Sequence, residues 1–516
     1  MEFSSFLNGG KNAKRAAYLE NKRELGLFST VMMGLSGAIG FEIFVLLDYT
    51  YRLTESGITL TLVLVLAGLL NLIIMFSYCE LSAAMPEVGG EYTYIKTAYG
   101  GYIAFISGCF RWLASIFGAA LAAITFTLQM AYFFSVVAPQ FQSFVLAQTP
   151  LISVAVVAFF AVLDIKGVKQ AGSMIVFAFL AIFAVFIVSG ILHGLPNIGV
   201  SPKPLLENLS GVFASTVYVF PIFFGMRALV AGAAMVKNPG KNVPRGILLS
   251  ALIIIPLYVC LAFTASGVVS PEEVQPSAPF LNFAAQKIMG EWGGALFAVA
   301  GMVASLSALG TSLAVQSSIL RGMSRDGYLP KALLSVHKRL GTPYIAIVAG
   351  SLFVMFFSAM GVVVFLGYAA SFGSLLVFAL VNLSLLKLRK EKPHMERPFK
   401  TPLYPFTPVI GFIVPIALLV FPVLLGETNA VNAVISSLGL TALVLTTYYL
   451  RMVGRRRLQI AVGGIGLGAG VSLALLTFLA RLGLISQMFP YVSDYVLFLI
   501  SIVFIIGGIL NIFTQD

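Results

Sequence analysis

Charged residues are scarce in this chain of 516 residues. Asp, Glu, Lys and Arg together make up 10% of the sequence, whereas hydrophobic residues make up 59%. Soluble domains contain about 25% charged residues, which help to cover their surface with polar groups. This composition excludes a water-soluble protein. The length of the chain therefore indicates one polytopic membrane protein rather than several soluble domains.

Cysteine and histidine are also rare, with three residues of each. The cysteines all lie in apolar runs, so we expect no disulfide framework. The histidines all lie in predicted loops, so we expect no histidine-ligated metal site within the membrane. The sequence shows no Walker loop and no nucleophile–base pattern. We therefore predict that the protein is neither an ATP-driven pump nor an enzyme, and that it needs no cofactor.

Long apolar runs dominate the sequence. A membrane-spanning helix needs about 20 apolar residues, and the sequence contains fourteen runs that we assign as spans. They lie at 25–50, 57–84, 102–135, 150–165, 170–192, 209–235, 245–268, 292–319, 342–360, 362–387, 404–425, 429–450, 458–480 and 491–513. A charged N-terminal segment, 1–24, precedes the first run, and no cleavable signal peptide is recognisable there.

The distribution of Lys and Arg predicts the orientation. With a cytoplasmic N-terminus, 26 of the 32 basic residues fall in predicted cytoplasmic segments and four in external ones. The remaining two, Arg111 and Arg227, fall within spans. This asymmetry follows the positive-inside rule, so the net charge of +12 reflects orientation in the cell membrane rather than nucleic-acid binding. An even number of spans places both termini in the cytoplasm.

The first run is interrupted by small residues. It contains Gly34, Gly37 and Gly40, and Glu42 follows them directly. Close packing against a neighbouring helix alone would explain the glycines. It does not explain the carboxylate, because a charge inside the membrane costs about 2.5–3.5 kcal/mol and normally faces a cavity or a partner.

The sixth run contains Pro221, which removes a backbone donor, and Gly225 one turn later, followed by Arg227. Interruptions in the first and sixth of ten helices are typical of a five-plus-five inverted repeat, with the ligand near the bilayer midplane. Backbone N–H groups released from helical hydrogen bonds attract a carboxylate, and released carbonyls attract an ammonium group. An α-amino acid carries both groups.

Four stretches, at 37–44, 78–92, 237–247 and 325–343, carry a family resemblance. The second, which is close to the pattern YxELxxxxPxxGGxY, is the most specific. With these motifs the chain resembles the amino acid–polyamine–organocation permeases. The resemblance implies an all-α membrane protein with an inverted-repeat core at 25–390 and discontinuous helices 1 and 6. A cytoplasmic linker at 391–403 and four additional spans at 404–516 would follow, as in cationic-amino-acid-transporter-like members.

This resemblance implies a secondary active transporter of amino acids or related amines that works by alternating access, coupled to protons or to exchange. Two alternatives stay open: an inorganic-ion transporter, for example of potassium, on the same fold, and a nutrient sensor. The predicted substrate-binding residues are Ser36, Gly37, Ala38, Ile39, Gly40, Phe41, Glu42, Phe220, Phe224, Gly225 and Arg227.

The chain departs from the family pattern at charged positions. Glu42 lies where the family has a Gly-Ser-Gly loop, and Arg227 replaces the acidic residue of the sixth helix. The fifth-helix lysine that stands in for sodium in some members is Ile182 here. If the two interruptions face each other, Glu42 can pair with Arg227 and serve as the proton carrier. The alternatives are a static salt bridge and two unrelated side chains.

Two further polar groups have both a structural and a functional interpretation. The first forms either a helix-end ion cluster or an inner gate, and comprises Glu80, Glu91, Lys96 and Arg111. The second falls where sodium-coupled relatives place hydroxyl ligands, and comprises Ser305, Ser307, Thr311 and Ser312. Hydroxyls in membrane helices also bond to their own backbone, which is the alternative for the second group.

Overall fold

The computed structural model describes residues 23–86, 89–167, 172–195, 209–274, 279–337, 339–424, 428–453 and 494–513, with scattered residues between 463 and 481. In this part of the chain the regular structure is helical, and the one β-type contact is an isolated parallel bridge between Leu25 and Val236. The predicted all-α architecture is therefore confirmed for the described residues.

The helices follow the predicted runs closely. Those of the first half are α1 (Leu27–Ala38), α2 (Glu42–Thr54), α3 (Gly57–Ala84), α4 (Glu91–Tyr99), α5 (Gly101–Val137), α6 (Gln142–Ala147), α7 (Thr149–Lys166) and α8 (Gly172–His193). Those of the second half are α9 (Leu209–Val219), α10 (Arg227–Ala231), α11 (Pro239–Ser266), α12 (Phe280–Met289), α13 (Glu291–Arg325), α14 (Tyr344–Met360), α15 (Val363–Glu391), α16 (Phe406–Leu424), α17 (Thr428–Val453) and α18 (Asp494–Phe513).

Among the described residues, eight helices are long and apolar enough to cross a membrane. A ninth span results when α1 and α2 are counted together. Shorter apolar helices include α14 and the segment Leu497–Ile509 of α18. The chain is thus a multi-pass membrane protein. The count of fourteen stays a prediction, because the run at 458–480 lies largely outside the described residues.

Helix α5 is the central element of the bundle. Its 37 residues extend over about 55 Å, which exceeds the hydrocarbon thickness of about 30 Å. It packs along both α13 and α15. Around this centre, α3 packs on α11 and α7 packs on α14. These contacts surround the two interrupted spans and bury them among other helices.

The first interruption is a short irregular segment between α1 and α2, whose axes meet at 47°. The amide of Ile39 still donates to the carbonyl of Leu35, at 2.7 Å, but the amide of Gly40 turns back to the carbonyl of Ala38, at 2.9 Å. Regular helical bonding therefore ends at Ala38 and resumes at Glu42.

The second interruption takes a different form from the first. Residues Phe220–Met226 form a 3₁₀ segment of seven residues between α9 and α10. Runs of 3₁₀ helix longer than three or four residues are uncommon and often mark a hinge. Pro221, at the start of this segment, cannot donate a backbone hydrogen bond. The sequence predicts an interruption here, and the structure shows that it is a tighter helix.

The two interruptions meet at glycine. A Cβ built on Gly225 would overlap the carbonyl of Gly37 and the amide nitrogen of Ala38. A Cβ built on Gly37 would in turn overlap the carbonyl of Gly225. The backbones thus pack directly on each other, and only glycine leaves room for this contact.

A buried ion cluster joins α3 to the end of α15 and to the following linker. Glu80, which is 0% exposed, accepts hydrogen bonds from the guanidinium of Arg389, at 2.8 Å for Nε, and from the backbone amide of Thr401, at 2.7 Å. Nε of Arg397 lies 3.2 Å from the same carboxylate. The segment 391–403 is therefore held against the end of the bundle.

We expect Gly225→Ala to destabilise the protein strongly. The new methyl group would overlap backbone atoms, which cannot turn away as a side chain can, and overpacking costs about 1–3 kcal/mol or more. Gly118→Ala on α5 is the matched control, because a Cβ there meets no heavy atom within 4 Å. Thermal unfolding in detergent measures both variants. Equal melting temperatures for the two would contradict the close contact.

We also expect Glu80→Gln to lower the free energy of unfolding by about 3 kcal/mol, because it leaves two mostly buried guanidinium groups without their counter-charge. Glu391→Gln is the control. It breaks an exposed pair with Lys387, 3.6 Å apart, and such pairs contribute about 0–1 kcal/mol. Unfolding in mixed micelles measures the free energy of unfolding of both variants. An equal decrease for the two would show that the cluster contributes little to stability.

Candidate functional site

A cavity of about 510 Å³ lies between the two interruptions and is also lined by α5, α13 and α15. Nine of the predicted substrate-binding residues line it: Ser36, Gly37, Ile39, Gly40, Phe41, Glu42, Phe224, Gly225 and Arg227. The other two, Ala38 and Phe220, do not line the cavity. Ala38 is buried, and Phe220 packs on the rings of Phe224 and Phe378, at 5.7 and 6.5 Å between centroids.

The cavity extends toward one end of the bundle. From the interruptions, its lining continues to Tyr92 on α4 and to Arg325 at the end of α13. Beyond the interruptions on the opposite side, the ring of Tyr218 packs between Tyr49, at 4.8 Å, and Tyr368, at 5.3 Å. These three tyrosines come from α2, α9 and α15, and none of them is among the residues that line the cavity.

Two side chains from neighbouring helices cap carbonyls that the interruptions set free. The hydroxyl of Tyr258 donates to the carbonyl of Ala38, at 2.7 Å. The amide of Asn71 donates to the carbonyl of Phe223, at 3.3 Å. These bonds satisfy polar groups that would be costly to leave unpaired in the membrane. Neither residue is among those predicted from the sequence, although a lone asparagine in the apolar run of α3 is a usable signal.

Glu42 lies at the start of α2 and lines the cavity. Its carboxylate folds back over Gly40, where an added Cβ would overlap one of its oxygens. The acidic side chain therefore lies at the N-terminus of a helix, where the helix dipole stabilises a negative charge.

Arg227 lies at the other interruption and is 9% exposed. Its Nε donates to the carbonyl of Phe224, at 3.2 Å, and Nη2 donates to the hydroxyl of Ser374, at 3.4 Å. The guanidinium also lies over the rings of Phe224 and Phe378, at 4.7 and 4.9 Å. Its Nη1 is buried and has no hydrogen-bond partner.

The ion-pair partner of Arg227 is Glu91, 3.9 Å away, and not Glu42 as hypothesised. Glu91 also accepts a hydrogen bond from Tyr78, at 3.0 Å, and pairs with Arg111, at 3.3 Å. One carboxylate thus faces two guanidinium groups. The carboxylate of Glu42 is turned toward Gly40 in the first interruption instead.

The four gate candidates fall into three separate places. Glu91 and Arg111 line the cavity together, whereas Glu80 belongs to the buried cluster at the linker. Lys96 pairs with Asp326, at 2.7 Å, just beyond the end of α13. They do not form one ion cluster, because Glu91, Glu80 and Lys96 each have different partners.

Asp326 is held in its charged form outside the membrane. Partial burial favours the neutral acid, but hydrogen bonds from Lys96 and Tyr92, both at 2.7 Å, outweigh it and lower the pKa of Asp326. The link between α4 and the end of α13 therefore persists at neutral pH.

The candidate hydroxyls on α13 do not share one position. Ser307, Thr311 and Ser312 line the cavity, whereas Ser305 is fully buried behind it. The hydroxyl of Ser305 donates to the carbonyl of Gly301, at 2.7 Å, and that of Thr311 donates to the carbonyl of Ser307, at 2.9 Å. Both bonds are made within the helix.

Comparisons with known proteins agree with this geometry. The family model described as amino acid permease matches residues 25–447. The branched-chain amino acid permease BcaP of Bacillus subtilis is 27% identical over 412 residues, which cover 76% of this chain and 86% of BcaP. The methylthioribose transporter of the same species is 26% identical over 411 residues, covering 75% and 86%.

A plant protein shows a similar degree of identity. The vacuolar cationic amino acid transporter 2 of Arabidopsis thaliana is 27% identical over 407 residues, which cover 76% of this chain and 63% of that protein. The family match extends over most of the chain and includes both interruptions and the cavity between them. This chain belongs to the amino acid permease family and is a membrane transporter of amino acids.

Proposed function

We propose that the protein is a secondary active transporter that moves amino acids across the cell membrane by alternating access. The observation that carries this proposal is the cavity between the two interruptions, which continues toward one end of the bundle. Toward the other end, Tyr49, Tyr218 and Tyr368 pack on one another and do not line the cavity. A transporter that binds its substrate near the midplane needs such a site, accessible from one side at a time.

The pairing of helices supports an inverted repeat of five plus five spans at 25–390. The first predicted span contacts the sixth where α1 packs on the 3₁₀ segment. The second contacts the seventh, the third the eighth and the fourth the ninth, as α3 with α11, α5 with α13 and α7 with α14. Each span thus contacts the span five positions later in the chain, which is expected when two similar halves of five spans pack around a common axis. The segment 391–403 would then link this core to four further spans at 404–516.

Backbone bonds also tie the two interrupted spans together at one end. The amide of Leu25, just before α1, donates to the carbonyl of Met235, at 3.1 Å. The amide of Lys237 donates to the carbonyl of Leu25, at 2.8 Å. The two spans are thus suited to move as one unit against the scaffold around α5 and α13. With both termini in the cytoplasm, the arrangement corresponds to an inward-facing state.

The experiment that tests this function is uptake into proteoliposomes. We expect labelled L-leucine, L-glutamate or another amino acid to accumulate above the level in empty liposomes, and a trans gradient of the same amino acid to accelerate its entry. Proton and sodium gradients are imposed separately to identify the coupling. Uptake of potassium that does not depend on amino acids would instead favour the ion-transporter alternative.

Proton coupling through Glu42 is part of the proposal, because the carboxylate lines the cavity beside the first interruption. We expect Glu42→Gln to abolish the acceleration of uptake by an inward proton gradient while leaving exchange of internal for external amino acid. Glutamine keeps the size of the side chain but carries no titratable proton. Glu291→Gln, at the exposed start of α13, is the control. An unchanged proton response in Glu42→Gln would remove the carrier role.

A further inference from the structure

The first interruption would ordinarily offer a site for a carboxylate, because backbone amides at a helix N-terminus attract anions. In this chain the site has an internal occupant. Glu42 is the first residue of α2, and its carboxylate folds back over Gly40 at the start of that helix. A second carboxylate placed at the same amides would be repelled by the first. A ligand carboxylate therefore needs another donor.

Arg227 is suited to be that donor. Arg227 lines the cavity, and its Nη1 is buried, has no hydrogen-bond partner and lies 3.9 Å from Oε1 of Glu91. Its ion pair with Glu91 is long, at 3.9 Å, and Glu91 is shared with Arg111, at 3.3 Å. The buried guanidinium is thus incompletely neutralised, a costly state that a bound anion would relieve. Guanidinium groups also match the planar geometry of carboxylates.

The charged residues that line the cavity carry a net positive charge. The described charged residues that line the cavity are Glu42, Glu91, Arg111, Arg227, Arg321 and Arg325, an excess of two positive charges. Arg321 and Arg325 lie where the cavity approaches the end of α13. Like charges repel, and the repulsion is stronger where water is excluded. A cationic ligand would therefore be repelled by positive charge both in the part of the cavity near the end of α13 and at Arg227.

We propose that Arg227 is the carboxylate receptor of this site, and that its ligands are amino acids of zero or negative net charge rather than cationic amino acids or amines. This inference rests on the proposed transport function and adds the substrate class to it. The carboxylate is either the α-carboxylate of a neutral amino acid or the side-chain carboxylate of an acidic one.

Binding to the full-length protein in detergent tests the proposal. The rise in melting temperature is measured as a function of ligand concentration. The ligands are two matched pairs, L-leucine with L-leucinamide and L-glutamate with L-glutamine, and two cations, L-lysine and putrescine. We expect leucine, glutamate or both to bind at least tenfold more tightly than the matching amide. We expect lysine and putrescine to bind at least tenfold more weakly than the preferred carboxylate ligand. A preference for leucine over leucinamide alone assigns the α-carboxylate. A preference for glutamate over glutamine assigns the side-chain carboxylate.

Two variants connect the preference to Arg227. We expect Arg227→Gln to remove the tenfold preference for the carboxylate, and Arg227→Lys to keep part of it, because lysine retains the charge without the planar geometry. Lys387→Gln removes a cation at the far end of α15, outside the cavity lining, and should leave the preference unchanged. If Arg227→Gln does not fold, Arg227→Lys and the wild-type panel still decide the question.

Two results would overturn the inference. The first is tight binding of lysine or putrescine to the wild-type protein, and the second is an intact carboxylate preference in folded Arg227→Gln. Either of these, together with amino acid uptake in proteoliposomes, would leave the transport function standing. Absence of uptake for every amino acid and amine would instead overturn the proposed function, and the substrate class with it.

Discussion

The direct contact between the backbones of Gly37 and Gly225 is the constraint on which the site depends. Inside a membrane, polar backbone groups released from a helix have no water to bond with, so they must be buried in protein or line a cavity. The glycine contact brings both interruptions to the same place, so the same surrounding helices bury the polar backbone groups of both. Tyr258 and Asn71 cap carbonyls on opposite sides of this junction.

The charges of the site follow from the same constraint. Glu42 and Arg227 come directly after the two interruptions, so the glycine contact also holds them near the cavity. The energetic cost of burying each charge is offset in a different way. Glu42 uses the N-terminus of its own helix, whereas Arg227 uses two aromatic rings and a share of Glu91. The two groups therefore keep separate environments, and Arg227 retains an unsatisfied donor.

Much of the fold was predictable from local features. Apolar runs of sufficient length predicted helices that the structure places within a few residues, because the bilayer imposes both a length and a hydrophobic composition. Gly34, Gly37 and Gly40 predicted the first interruption, and Pro221 with Gly225 predicted the second. Nine of eleven proposed ligand-site residues line the cavity, since they lie within these interruptions or at the helix ends directly beside them. The motif at 78–92 further indicated the family that the comparisons establish.

The pairing of charges was not predictable in the same way. Glu42 and Arg227 were plausible partners because both lie at interruptions, yet Arg227 pairs with Glu91 and Glu80 with Arg389. The composition and order of residues determined that this is a helical membrane protein with two weakened spans, since hydrophobicity and backbone propensity act locally. Only the tertiary structure decided which charges meet, because residues such as Glu80 and Arg389 are 309 positions apart and are brought together by helix packing.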